Sequence, residues 1–286
     1  MCLKGDTRPE AMFDALKPDL PAPVVRPVRL KGVALPVEHG AWGMLFEPLV
    51  AASVVAFSIS ALWIALAVIA AFLIRQPLKV LLITRKANRT MPQTAAARKF
   101  LTYYSVIFAI GAAAALISSD YNILTPLAVA GPLALVPVYF DSIGKSRALA
   151  PEIAGTVAIT SSAAVIALAG GWSIAAATVL WLLLMCRWIP SILYVRTRLL
   201  LEKGKPYTVA MPVTLSALGM CVAAALAFYG IAPALPAVVM AILFVRASVG
   251  LSPYSRRRKA QQIGILEVVF GAVTVLSIIL GYRLGL

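Results

Sequence analysis

Six ionisable side chains sit where an apolar sequence should carry none. Glu47, Arg75, Glu152, Arg187, Arg246 and Glu267 each lie within, or at the opening of, a long apolar stretch. At the centre of a membrane helix such a group costs about 2.5–3.5 kcal/mol on insertion scales, so each needs a partner, a wet cavity or a function. Counted from the ends of their stretches at about 1.5 Å per residue, all six fall within about 10 Å of the same boundary. Three acids and three bases at one depth point to a shared polar cavity rather than to separate cations snorkelling out. Mutual pairing would account for them too, and would make that cavity purely structural.

Helical spacing groups these residues with others. His39, Gly43 and Glu47 are four apart and share one helix face; so do Arg75 and Lys79, and Glu152, Thr156 and Thr160. A further face carries Arg187, Ser191, Tyr194 and Arg198, with Arg196 beside it. Glu38-His39-Gly40 sets an acid next to the one imidazole of the chain. That carboxylate could fix the imidazole tautomer, so His39 and Glu38 are the catalytic candidates. A lone interfacial His is also an ordinary hydrogen-bonding group. The ligand-binding candidates are Glu47, Arg75, Lys79, Arg187, Arg196 and Arg198, because a guanidinium fork holds phosphate bidentately. Arg75-Gln-Pro77 and Arg187-Trp-Ile-Pro190 form a short internal repeat, each proline freeing a backbone carbonyl within its helix.

The elements that must position these groups follow from composition. The chain has 286 residues, 61% apolar and only 13% charged, with a mean hydropathy of +0.91. Soluble domains run about 45–50% apolar and about 25% charged, so this is an all-α polytopic membrane bundle. Nine apolar stretches are long enough to cross it, at roughly 41–58, 61–84, 101–118, 122–140, 149–170, 172–195, 208–230, 232–250 and 263–284. They form one nine-helix transmembrane domain over residues 37–286, preceded by a Pro-rich, partly disordered tail over 1–36.

Of the 26 Lys and Arg, all but Arg283 belong to the tail, to alternate loops or to the span ends beside them. The positive-inside bias makes that side cytoplasmic, which puts the N-terminus in and the C-terminus out. The formal charge of +15 is accounted for by those loops, and no nucleic-acid-binding motif accompanies it. Three cysteines without metal spacing and a single His provide no ligand set for zinc, haem or iron–sulfur clusters. No cofactor is expected.

Two resemblances refine the reading. Glu38-His39-Gly40-Ala41-Trp42, Arg75-Gln76-Pro77-Leu78 and Tyr194-Val195-Arg196-Thr197-Arg198 resemble signatures of the YwiC-like family of bacterial membrane proteins. The resemblance implies a multi-pass protein of the bacterial cytoplasmic membrane and supplies no activity. The nine spans are also similar to the UbiA superfamily of intramembrane prenyltransferases, with Asn88-Arg89 and Gly204-Lys205-Pro206-Tyr207-Thr208 near the positions of its polar motifs. Members of that superfamily hold Mg²⁺ and a prenyl diphosphate with aspartate-rich motifs, an oxygen-rich cage suited to that ion. Here the matching helix ends carry Arg75, Lys79, Arg85, Arg196 and Arg198 instead, so Mg²⁺-dependent prenyl transfer is not expected.

Three functions fit. A cytoplasm-facing cavity could bind an anionic amphipathic ligand, an isoprenoid or lipid phosphate, with arginine in place of metal. A non-enzymatic structural or assembly factor needs only paired charges and a basic surface. A small-molecule transporter needs polar access from both faces, which the nearly uncharged outer half disfavours.

Overall fold

The computed structural model describes residues 30–36, 39–86 and 93–286. A short helix α1 (Leu30–Ala34) precedes α2 (His39–Val55), α3 (Ile59–Lys86) and α4 (Gln93–Ile117). A 3₁₀ turn (Tyr121–Leu124) opens α5 (Thr125–Ser142), which is followed by α6 (Leu149–Thr160) and α7 (Ser162–Ala169). The chain ends with α8 (Ile174–Glu202), α9 (Ala210–Phe228), α10 (Ala234–Gly250) and α11 (Ala260–Leu284). Each of the nine expected stretches is helical. Seven are long and apolar enough to cross a membrane, counting α6 with α7 as one. α2 and α10, at 17 residues each, reach only about 25 Å against a hydrocarbon core of about 30 Å. Among the described residues, nine is therefore the count of apolar helical stretches and seven the count of full-length ones.

Two differences from the expected boundaries have local causes. α4 begins at Gln93, eight residues before the third apolar stretch, because Gln-Thr-Ala-Ala-Ala-Arg-Lys contains nothing that breaks a helix. The fifth stretch is interrupted for one residue at Ser161, between α6 and α7. There the hydroxyls of Thr156, Thr160 and Ser161 bond back to the carbonyls of Glu152, Thr156 and Ala158, at 2.7, 2.8 and 2.7 Å. Such back-bonding competes with the helix ladder. Trp181 of α8 packs beside it, its Nε1 donating to the Val157 carbonyl (3.2 Å) and Thr160 Oγ1 (3.1 Å).

The core joins α2, α3, α7 and α8 around Leu45, Ile64, Ile166, Leu180 and Leu184, with alanines 51, 52, 56, 163, 164 and 167 among them. Small residues let helix backbones approach closely in lipid, where no hydrophobic force drives them together. Gly170 is the tightest such approach in this core: a Cβ there would lie 2.5 Å from the Ala56 carbonyl. A second cluster on Leu183, Ala223, Val239 and Leu243 joins α8 to α9 and α10. Pro190 deprives the Cys186 carbonyl of its helical donor. Gly219 of α9 lies so close that a Cβ there would be 2.9 Å from that carbonyl oxygen. α8 therefore runs unbroken through Pro190 to Glu202, touching both halves of the bundle.

The two ends of the bundle differ. At the basic end, α1 docks on α3 and α4: Gln76 Nε2 donates to the Gly32 carbonyl (2.8 Å) and the Tyr104 hydroxyl to that of Ala34 (3.3 Å). At the charge-poor end, Arg283 donates to the Val54 carbonyl and Trp172 packs on Tyr282 with ring centroids 5.0 Å apart.

Candidate functional site

The intramembrane charges separate into distinct groups. The innermost is a quartet drawn from four helices: Glu47 (α2), Arg187 (α8), Arg246 (α10) and Glu267 (α11). Arg187, fully buried, lies 3.7 Å from Glu47 Oε1 and 3.3 Å from Glu267 Oε2. It also donates to the Glu267 carbonyl at 3.1 Å and to Ser191 Oγ one turn on. Arg246 pairs with the other carboxylate oxygen of Glu267. Its guanidinium is sandwiched by aromatic faces, 4.2 Å from the Tyr194 ring centroid and 4.6 Å from that of Phe270. With all four ionised the quartet is neutral, as a buried assembly must nearly be. Gly271 allows it to close: a Cβ there would overlap the Glu47 carboxylate.

Arg75 does not join this quartet, and that corrects the expectation of one shared cavity. Its Nε donates to Asp141 Oδ2 at 2.9 Å and its Nη2 to Oδ1 at 3.3 Å, while Lys79 stands 3.6 Å from the same carboxylate. Asp141 is 1% exposed; Arg75 and Lys79 are 37% and 26% exposed. The trio carries one positive charge in excess, with both cations turned partly outward at the basic end. Sequence reasoning missed Asp141. It lies one residue past the expected end of its stretch, in Phe140-Asp141-Ser142, where an acid needs no explanation; only its burial reveals its part.

Glu152, expected with the interior charges, pairs instead with Arg196 at 2.7 Å, both about one-third exposed. Arg196 also donates to the Arg147 carbonyl. Surface pairs of this kind contribute about 0–1 kcal/mol. Arg198 was a ligand candidate, yet its four Nη protons are spent inside the protein. Nη1 donates to the Gly250 carbonyl and to Ser255 Oγ, Nη2 to the Arg256 carbonyl and to Glu202. It therefore fastens the 251–259 connection to the end of α8 and has no free fork for phosphate. Of the catalytic candidates, Glu38 lies outside the described residues, as do Asn88 and Arg89, and His39 opens α2 two turns from Glu47. Among the described residues no three His, Cys, Asp or Glu side chains gather as a metal-holding set.

Beside the quartet lies a recess of about 10 Å³ between α8, α9 and α10, bordered by Arg187, Ser191, Tyr194, Ser216, Met240 and Arg246. That is room for about one water molecule. Arg187 Nε and Arg246 Nη1 are both buried there or nearby without a hydrogen-bond partner among the described residues.

Comparison with known proteins bears on this arrangement. Residues 35–167 match the YwiC-like protein family. The YwiC-like segment runs from the residue after α1 to within α7 and so takes in Glu47, the Arg75–Asp141–Lys79 trio and Glu152. It stops short of α8, so the Tyr194 to Arg198 signature lies beyond it. No curated protein matches the sequence. A solved structure of digeranylgeranylglyceryl phosphate synthase is similar over 89% of this chain and 95% of its own, with a TM-score of 0.54 and 12% identity. The bundle is thus UbiA-like in fold. At that identity the likeness carries no residue roles.

Proposed function

We propose that this protein binds an anionic amphipathic lipid, an isoprenoid or lipid phosphate, at the basic end of its bundle and without Mg²⁺. One observation carries the reading: Arg75 and Lys79, one turn apart on α3, share the single buried carboxylate of Asp141. That leaves a net cation, with guanidinium and ammonium donors accessible at the depth of lipid head groups. Arg196 adds a second partly exposed guanidinium at the same end. The known activity of the structural neighbour, named for a glyceryl phosphate lipid, fits a bundle of this fold handling such ligands. We further infer that the basic end faces the cytoplasm of a bacterial inner membrane, with residues 1–36 as a cytoplasmic tail. Arg198 falls out of the ligand set because its four Nη donors, the fork that would hold a phosphate, are engaged inside the protein.

A second reading, a structural or assembly factor without a ligand, is favoured by the neutral quartet and by the internal engagement of the Arg198 Nη groups. Lys79→Gln separates the two, since it removes the excess charge and leaves the Arg75–Asp141 pair intact. One Lys near a membrane surface attracts anionic lipid by about 1 kcal/mol, so retention of farnesyl monophosphate or dioleoyl phosphatidic acid should fall about fivefold. Native mass spectrometry in nanodiscs reads this, with EDTA and with Mg²⁺. Equal retention by wild type, Lys79→Gln and Lys79→Glu would leave the structural reading in its place.

A further inference from the structure

We infer that the recess between α8, α9 and α10 is a binding site for a small monovalent anion of halide size, taken up together with a proton on Glu47. This site is separate from the Arg75–Lys79 surface and does not depend on it.

Three features carry the inference. First, two guanidinium groups border the recess, and each has a buried N–H group, Arg187 Nε and Arg246 Nη1, without an acceptor among the described residues. A buried N–H of a cation left without an acceptor is costly, so such a group calls for water or an anion. Second, the remaining wall carries the hydroxyl-bearing Ser191 and Tyr194, with Met240 and with Ser216, whose own proton goes to the Pro212 carbonyl, and no carboxylate in the lining. Both carboxylates of the quartet come from helices that do not line the recess, α2 and α11. Third, the recess admits one water-sized body. A tetrahedral phosphate, let alone a lipid head group, exceeds it.

Charge balance supplies the proton. The ionised quartet is neutral, so an anion entering alone would leave a net negative charge in the membrane interior, which is expensive. Glu47 is the group that can relieve this. Among the described residues its Oε2 is buried without a partner, and its one ion-pair contact is the longer of the two that Arg187 makes. The groups facing it are Arg187 and Trp188 from α8 and Glu267 from α11; Thr156 of α6, bonded to Met44 one turn away, is neutral. Glu267 holds both arginines. Proton uptake on Glu47 frees Arg187 to balance the anion, and linkage then requires that each ligand strengthens binding of the other.

The test is thermal unfolding of the full chain in detergent, in sodium chloride against sodium gluconate at fixed ionic strength, between pH 5 and 8. Wild type should show a saturable chloride-dependent rise in melting temperature, with apparent affinity increasing up to about tenfold per pH unit as pH falls. Ser216→Val fills the recess without touching a charge and should abolish the chloride response. Glu47→Gln should retain that response and lose its pH dependence, and Lys79→Gln should leave both unchanged. Equal melting temperatures in the two salts would overturn the site and assign the recess to a buried water. A chloride response that survives Ser216→Val would overturn it as well, and one in wild type indifferent to pH would overturn the proton linkage.

Discussion

Arg187→Met tests how far the bundle depends on its central cation. Arg187 faces two carboxylates, at 3.3 and 3.7 Å. At an effective dielectric of about 20 these attractions are about 5 and about 4.5 kcal/mol before desolvation is charged against them. The two acids lose unequally. Glu267 keeps Arg246, whereas Glu47 has Arg187 as its one ion-pair partner among the described residues. An unpaired buried carboxylate facing a second one is the expected result, and breaking a buried pair in this way costs about 3–5 kcal/mol. Arg246→Met, which leaves Glu267 paired, should cost less. The decisive comparison is the double variant Arg187→Met with Glu47→Gln: removing the stranded charge should recover about 1–3 kcal/mol of the loss. Unfolding by sodium dodecyl sulfate titration in mixed micelles, followed by tryptophan fluorescence, measures all four proteins. If Arg187→Met stays within about 1 kcal/mol of wild type, or the double variant is no more stable than the single one, the quartet does not hold the bundle as argued.

Two further outcomes follow from the packing and from the charge pattern. Gly271→Ala should lower stability by about 1–3 kcal/mol, because its new Cβ meets the Glu47 carboxylate; Gly264→Ala, on the same helix in open space, should be neutral or slightly stabilising, and the same titration compares them. Reporter fusions after residues 120, 171 and 231 should report the outer side and one after 145 the inner; the opposite signs, or a mixture, would overturn the inferred orientation.

The helices were legible in the sequence because composition and loop charge act over twenty residues at a time. The stops at Gly170-Gly171 and Gly230 to Pro233 fall where the helices end, and that at Ser58-Ile59-Ser60 overlaps the opening of α3 at Ile59. Which charge meets which was only half legible. Depth along each helix can be counted, and it placed Glu47, Arg187, Arg246 and Glu267 together correctly. Rotation and neighbourhood cannot be counted, since they depend on which helices pack side by side. α3 packs on α5 at its basic end, so Arg75 finds Asp141 and never reaches Glu267. Arg198 was legible as a helix-face neighbour of Arg187. Its true partners, Gly250, Ser255 and Arg256, lie more than fifty residues away in a connection whose course no local pattern records.

The division of the charges also separates what the bundle needs for folding from what it has to spare. α8 organises both. Its inner turn buries Arg187 against acids from α2 and α11, and its last turns hold the α6 opening through Arg196 and the 251–259 connection through Arg198. Each of these arginines has an acid of its own to face, so α8 acts as the strut that ties the halves together. α3 is different. It presents two cations to one acid, an imbalance that helix packing alone does not require, since Arg75 by itself would neutralise Asp141. A second cation there stabilises nothing that the first leaves undone. Among the described residues the interior charges are otherwise matched, and this one excess cation is what the proposed lipid-phosphate site rests on.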